Sequence, residues 1–193
     1  MNAALRRVNW TTVLFIVAPL AFAVAGMMLA LARTSVPASA THAIDYSRIA
    51  GTTAPDFTVD DLSGRRFHLH ARQKPVVVEL FATWCGHCKE AVPAMNQVYE
   101  KYKGRVDFIS IAATRYAIDG TSPASADDTR RFARSLHVRY PVAYDPSHEI
   151  AKRYLIGVVP TLALVAPDHR VIVQTAGDLT VKELSEIVER ALR

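Results

Sequence analysis

The chain is poor in cysteine: its 193 residues contain only two, Cys85 and Cys88. A structural zinc site usually needs four ligands, often further cysteines or a close histidine pair, so such a site is disfavoured. A purely structural disulfide is also disfavoured, because 50% of the residues are apolar and a chain of this length builds a core without covalent support. The two cysteines therefore need another explanation.

Acidic residues are absent before Asp45, and residues 8–32 carry no charge. Arg6, Arg7 and Arg33 flank this apolar segment. Without these three, the 23 basic residues fall to 20, against 18 acidic residues. The rest of the chain is therefore close to neutral, and it contains no basic run or face of the kind that nucleic-acid binding requires.

The uncharged segment has the length of a membrane span. About 20 apolar residues cross a bilayer as a helix, whereas the apolar part of a secretory signal is typically about 7–15 residues long. We therefore expect residues 1–33 to be a retained signal anchor in the cytoplasmic membrane, crossing it once. Arg6 and Arg7 would hold the N-terminus in the cytoplasm and place the C-terminal domain on the extracytoplasmic side. The alternative is a signal peptide cleaved after Ala38-Ser39-Ala40.

Small and polar residues at 34–50 predict a linker, and residues 51–193 show alternating strand and helix patterns. Strands are predicted at 54–59, 66–69, 75–81, 106–112, 141–144, 161–165 and 171–175. Helices are predicted from the cysteines to Gly104, with a kink at Pro93, and at 126–137, 150–154 and 181–192. This order predicts an α/β domain with a central mixed sheet flanked by helices.

The two cysteines stand three positions apart in residues 84–88, Trp-Cys-Gly-His-Cys, directly after the apolar strand 75–81. Residues i and i+3 in the first turn of a helix lie on one face, near the Cα separation of roughly 5.5–6 Å that a disulfide needs. Such a pair can cycle between dithiol and disulfide with little backbone movement. A strand, Cys-x-x-Cys and a helix therefore predict a thiol–disulfide exchange site.

With these features in place, residues 50–193 resemble the thioredoxin superfamily, and in particular its membrane-tethered TlpA/ResA-like branch. The resemblance is carried by Trp84 before the first cysteine, Pro93 in the active-site helix, Glu79 in the preceding strand and the segment Val158-Val159-Pro160-Thr161, which is similar to the family's cis-proline loop. The segment 126–144 is similar to the helix-and-strand insertion of this branch. The resemblance implies a thioredoxin-like fold with a TlpA-type insertion, a redox-active disulfide and no bound cofactor or metal.

The exchange chemistry gives the two cysteines different roles. Cys85 is expected to attack as a thiolate, because unpaired N–H groups and the helix dipole favour a negative sulfur at a helix N-terminus. Cys88, one turn further on, then attacks the mixed disulfide and releases the substrate. Glu79 interrupts an apolar strand. A buried carboxylate there has a raised pKa and would accept the proton of Cys88, whereas an edge position would leave it solvated.

The residues around the cysteines are assigned to redox tuning and substrate binding. A protonated His87 would stabilise the neighbouring thiolate and make the disulfide more oxidising, unless the side chain simply faces solvent. Trp84 is expected to form an apolar rim for protein substrates or to serve only in packing. Pro160, if cis, would expose the backbone of Val159 to an extended substrate. Gly86, between the cysteines, belongs to the same group.

The resemblance implies an enzyme that reduces extracytoplasmic protein disulfides, of the cytochrome c maturation or metal-site assembly type, with a membrane thiol as its electron donor. His87 stands where most TlpA-like members have proline, and Cys-Gly-His-Cys is more familiar from protein disulfide isomerase. A disulfide oxidase or isomerase is therefore an open alternative.

Two other functions are less favoured by spacing. In a peroxiredoxin-like peroxidase the threonine would lie one residue further from the reactive cysteine than Thr83 lies from Cys85. Copper-delivery relatives place three residues between their cysteines, whereas this chain has two. His68 and His70 alternate along one predicted strand, but no third ligand accompanies them, so they predict no metal site.

Overall fold

A five-stranded mixed sheet organises residues 49–193, the part of the chain that the computed structural model describes. Two short strands, β1 (Thr58–Asp60) and β2 (Arg66–His68), form a separate antiparallel pair. The main sheet has the spatial order β5-β4-β3-β6-β7. Its strands are β3 (Val76–Phe81), β4 (Asp107–Ala112), β5 (Val142–Tyr144), β6 (Thr161–Val165) and β7 (Val171–Ala176).

Helices connect these strands and cover both faces of the sheet. They are α1 (Gly86–Tyr102), α2 (Ala126–Ser135), α3 (Glu149–Tyr154) and α4 (Val181–Arg190), with a short 3-10 turn at Leu69–Ala71. Strand β3 is parallel to β4 and antiparallel to β6. The mixed sheet expected from the order of strands and helices is therefore confirmed.

Alternate side chains of β3 enter two different cores, because successive side chains of a strand point to opposite faces. Val76, Val78 and Leu80 belong to one core, which also contains the rings of Phe57 and Phe67. Val77 and Phe81 pack with α1 and α4 in the other core. Glu79 shares the parity of Val77 and Phe81, so its position in the strand directs it to the face that carries the cysteines.

Helix α1 begins directly after Cys85 and extends through Pro93 to Tyr102 without interruption. Its buried residues are spaced three or four apart and face the sheet: Cys88, Ala91, Val92, Met95, Val98 and Tyr102. Pro93 lies on the exposed side. The second cysteine therefore belongs to the buried face of the helix, whereas the first stands at its tip.

The prediction of a strand at 54–59 is wrong for its first residues, because β1 begins only at Thr58. The segment before β1 runs instead beside the start of β7, where Gly51 N–H donates to the Val171 carbonyl at 2.7 Å and Ala54 N–H to the His169 carbonyl at 2.7 Å. Only Thr58–Asp60 pair as a strand with β2. Strand β2 ends at His68, and the chain then turns, so His68 and His70 do not alternate along one strand.

The predicted anchor at 1–33 and nearly all of the predicted linker lie outside the described residues. Within residues 49–193, no helix combines the length and the apolar character that a membrane crossing needs.

Candidate active site

The sulfur of Cys85 caps the N-terminus of α1. The backbone N–H of Cys88 donates to Cys85 Sγ at 3.2 Å, which satisfies one of the N–H groups that a helix start leaves unpaired. The Cys85 thiol lies 3.6 Å from the Val159 carbonyl oxygen, to which it donates. Cys85 is 6% exposed and Cys88 is 1% exposed. Substrate can therefore reach Cys85 more readily than it can reach Cys88.

The loop before β6 lies directly beside Cys85. Its Val159–Pro160 peptide bond is cis, as predicted. The Pro160 carbonyl accepts a hydrogen bond from Gly177 N–H at 2.9 Å, and Thr161 Oγ1 donates to the Val158 carbonyl at 2.6 Å. These two bonds fix the loop to the end of β7 and to its own strand.

A cleft of about 630 Å³ opens at this position. It brings together five of the residues assigned from the sequence, Trp84, Cys85, Gly86, His87 and Val159, and Val158 lines it as well. A Cβ atom on Gly86 would meet no atom within 4 Å, so the glycine leaves open space beside the sulfur. Trp84 is 45% exposed, which places it at the rim of the cleft rather than in the core.

Glu79 is buried at the centre of the sheet, 4% exposed, and accepts a hydrogen bond from the Ser110 hydroxyl. The alternative that it is solvated at a sheet edge is wrong, because β3 is the middle strand. Burial disfavours the charged carboxylate and raises the pKa of Glu79 to about 7, although the Ser110 hydrogen bond acts in the opposite direction. Near neutral pH this carboxylate can therefore both take up and release a proton.

Cys88 lies above Glu79 on the same face of the sheet. A small cavity with no room for a water molecule is lined by Glu79, Cys88 and Tyr140. Burial raises the pKa of the Cys88 thiol, and the neighbouring Cys85 sulfur and the negative charge of Glu79 raise it further. Cys88 therefore remains a thiol until a base removes its proton, and Glu79 is the carboxylate that lines its cavity.

His87 lies on the outer side of the cysteine pair. Its Nδ1 is 3.6 Å from Glu90 Oε2 and 3.6 Å from Asp178 Oδ1, and the His87 side chain is 71% exposed. These three side chains place their ligand atoms within 4.8 Å of one another, a spacing that would fit a metal ion. Exposed groups of this kind are common without an ion, so we assign no metal to them.

Three polar partners of the site could not be predicted from the sequence. Ser110 supports Glu79, Thr114 Oγ1 accepts from Trp84 Nε1 at 2.7 Å, and Asp128 Oδ2 accepts from Thr83 Oγ1 at 2.8 Å. The Thr83 hydroxyl is thus engaged with Asp128. A local pattern carries no signal for these pairs, because their members lie 30 to 45 residues apart.

Comparison with known proteins places this site in a family. The sequence profile of the AhpC/TSA family matches residues 50–175. The thiol-disulfide oxidoreductase ResA of Bacillus thuringiensis subsp. konkukian is 33% identical over 142 residues, which cover 72% of this chain and 77% of that protein. The chain belongs to the AhpC/TSA family and is a ResA/TlpA-like member of the thioredoxin superfamily.

Solved structures agree with the fold of this ResA/TlpA-like protein. A thiol:disulfide interchange protein of the thioredoxin family from Chlorobium tepidum superposes with a TM-score of 0.60 at 22% identity, covering 74% of this chain and 97% of that one. A secreted disulfide oxidoreductase from Mycobacterium tuberculosis superposes with a TM-score of 0.57 at 23% identity, covering 69% and 95%. The thioredoxin-like fold is therefore confirmed.

The ResA/TlpA-like chain is an enzyme, a thiol–disulfide oxidoreductase. Cys85 lies in the cleft beside Val159, and Cys88 and Glu79 line one small cavity. The individual roles of Cys85, Cys88, Glu79, Pro160 and His87 stay predictions.

Proposed function

We propose that this protein reduces disulfides of extracytoplasmic proteins, and that residues 1–33 anchor it in the cytoplasmic membrane. The observation that carries the reductase proposal is the pairing of Cys85, at the mouth of the cleft, with a buried Cys88 whose cavity Glu79 lines. An outer thiol can receive a protein substrate while the inner thiol and the carboxylate stay away from water.

The reaction has two exchange steps. The Cys85 thiolate attacks one sulfur of the substrate disulfide, and the other substrate sulfur leaves as a thiolate. Cys88 then gives its proton to Glu79 and attacks the Cys85 sulfur of the mixed disulfide, which expels the second substrate sulfur as a thiolate. The substrate gains two electrons, and the protein is left with a Cys85–Cys88 disulfide. A membrane thiol donor then restores the dithiol, without any bound cofactor.

The neighbourhood of Cys85 supports binding of an extended polypeptide. The cleft is open on the side of Gly86, and the Val159 carbonyl faces the attacking sulfur at 3.6 Å. A backbone group at this position can pair with a substrate segment as an added strand. We extend the proposal to substrates of the cytochrome c maturation or metal-site assembly type, as the resemblance implies.

The second candidate function is oxidation or isomerisation of protein disulfides, which the Cys-Gly-His-Cys motif favours. Mixing the fully reduced protein with insulin, then counting thiols on both proteins after acid quenching, distinguishes the two directions. A reductase transfers one electron pair for each insulin disulfide that it opens, so insulin gains two thiols while Cys85 and Cys88 lose theirs. The reverse experiment uses the oxidised protein with reduced ribonuclease, and rapid oxidation of ribonuclease without insulin reduction would overturn the proposal.

Location has its own test. An apolar helix of this length is not extracted by screening of charge, so the full chain should remain with membranes after washing at high salt. Protease added outside spheroplasts should digest the C-terminal domain. Release of a soluble form beginning near Thr41 would show cleavage after Ala38-Ser39-Ala40 and would contradict the anchor.

A further inference from the structure

The exposed large apolar side chains of residues 49–193 gather at one end of the sheet. They are Trp84, Tyr116, Ile118 and Val158, between 38% and 52% exposed. Trp84 follows the end of β3, Tyr116 and Ile118 follow the end of the parallel strand β4, and Val158 precedes the start of the antiparallel strand β6. All four therefore lie at the end of the sheet that carries Cys85, where β3 and β4 end and β6 begins.

These four side chains fall into two groups. Trp84 and Val158 line the cleft beside Cys85. Tyr116, 52% exposed, and Ile118, 45% exposed, do not line it and belong to the loop 113–125 between β4 and α2. The apolar surface at this end thus extends beyond the cleft itself.

The beginning of this loop is fixed to the active-site segment through Thr114. The Thr114 hydroxyl accepts hydrogen bonds from Trp84 Nε1 at 2.7 Å and from Tyr116 N–H at 3.1 Å, and it donates to the Tyr116 carbonyl at 2.9 Å. One donor and two acceptor positions are all that a hydroxyl offers, so this group is fully used. The backbone of Tyr116 is therefore connected to the Trp84 ring through a single side chain.

A second connection passes through Asp128, which is 1% exposed. Its carboxylate accepts from Thr83 Oγ1 at 2.8 Å and from Ile118 N–H at 3.3 Å. The residue before Trp84 and the backbone of Ile118 thus share one buried partner. The side chains of Tyr116 and Ile118 therefore extend from a backbone that is fixed relative to Cys85. Because burial of apolar surface is favourable, a partner that covers these side chains gains binding free energy.

We propose that Tyr116 and Ile118 form a docking surface for an apolar segment of the protein substrate whose disulfide Cys85 attacks. This inference rests on the proposed function and adds the determinant of substrate class. A polypeptide is the occupant we infer, because the buried Thr114 hydroxyl holds the backbone of Tyr116 to Trp84, and Trp84 itself lines the cleft. A small disulfide fills only the cleft, whereas a polypeptide held at Cys85 extends past Trp84 to the loop.

The test compares two double variants of the full chain. Tyr116→Ser with Ile118→Ser removes the apolar surface, and Tyr116→Phe with Ile118→Leu keeps it as a matched control. Each is assayed with insulin and with 5,5′-dithiobis(2-nitrobenzoate), a small disulfide. We expect the serine variant to raise the KM for insulin about tenfold with kcat unchanged, and to leave both constants for the small disulfide unchanged. The control should match the wild type.

The outcomes separate the two proposals. An unchanged KM for insulin in the serine variant, with normal turnover of the small disulfide, would overturn the docking surface and leave the reductase intact. Loss of activity toward both substrates in that variant would also overturn it, because the loop would then act on Cys85 itself. Failure of the wild type to reduce insulin would instead overturn the proposed function. A wild-type dimer that the serine variant dissociates, seen by light scattering, would assign the surface to a second copy of the chain.

Discussion

Carboxylates lie on both sides of the cysteine pair, in different surroundings. On the outer side, Glu90 and Asp178 lie 3.6 Å from His87, with side chains that are 71% and 50% exposed. On the inner side, Glu79 is 4% exposed and has a pKa raised to about 7 by burial. Water screens the outer charges and does not reach the inner one. From this difference we predict that the inner side governs proton transfer, whereas the outer side makes smaller adjustments and meets the substrate.

The largest effect separates the two cysteines. Cys85→Ala should abolish insulin reduction, because no sulfur then reaches the substrate. Cys88→Ala should accumulate a mixed disulfide, since Cys85 attacks and nothing resolves the product. Non-reducing gels and mass spectrometry of quenched reactions measure both. Faster alkylation of Cys88 than of Cys85 at neutral pH would reverse the assignment.

The next effect isolates the inner carboxylate. In the proposed reaction the ionised form of Glu79 accepts the Cys88 proton, so the rate of resolution should rise with pH as this group titrates near pH 7. Glu79→Gln should slow resolution about a hundredfold and remove this rise. Stopped-flow measurement of mixed-disulfide decay between pH 5 and pH 9 reports the profile.

A matched control is available at the outer side. Glu90→Gln removes a carboxylate from the same helix, but from an exposed position beside His87. It should leave the pH profile of resolution unchanged. Equal losses in Glu90→Gln and Glu79→Gln would show that the two sides do not differ as described.

The same burial predicts how stability depends on pH. The pKa of Glu79 is about 7 in the folded state, against an ordinary value of 4.5 for a glutamate carboxyl group, so the folded state holds an extra proton between these values. The free energy of unfolding should therefore fall by about 3 kcal/mol as pH rises from 4 to 8, through this group alone. Urea unfolding of the reduced protein should show this loss relative to Glu79→Gln. A pH-independent difference between the two proteins would contradict the burial argument.

The smallest effect concerns His87. An imidazolium beside Cys85 favours the thiolate and a more oxidising couple, but exposure and the flanking carboxylates weaken its influence. His87→Ala should make the couple more reducing by about 10–30 mV, and 1 M salt should shrink this shift. Asp178→Asn should shift it in the opposite direction. An unchanged potential in His87→Ala would make His87 a bystander.

A proline at position 87 separates charge from backbone constraint. His87→Pro removes the imidazole, fixes φ and eliminates a backbone N–H near the sulfur. A larger shift in His87→Pro than in His87→Ala assigns the excess to the backbone. Equal shifts assign the whole effect to the charge.

The sequence was sufficient for the features that local pattern encodes. The apolar run that became β3, the three-to-four spacing of α1 and the hairpin of β6 and β7 were predicted within a few residues. The beginning of β1 was not predicted correctly. Residues 51–54 form hydrogen bonds with the start of β7, a partner far away in the sequence, and their local alternation of apolar and polar residues does not reveal this pairing.

The site divides in the same way. The Cys-x-x-Cys motif and an acid in an apolar strand could be recognised locally, and the resemblance added Pro160. Ser110, Thr114 and Asp128 could not be recognised, since each acts on a residue 30 to 45 positions away that only folding brings near. The acid Asp128 in the first turn of α2 has the pattern of an ordinary helix start, and its burial beside Thr83 is visible only in three dimensions.

The reduction potential of the Cys85–Cys88 couple tests the central claim most directly. Equilibration of the full chain with dithiothreitol or glutathione buffers, followed by alkylation and mass spectrometry, gives the value. A reductase whose inner thiol keeps its proton should lie near the potential of thioredoxin, about −270 mV. A value of about −180 to −120 mV would belong to an isomerase or oxidase and would contradict the proposal that this protein reduces its substrates.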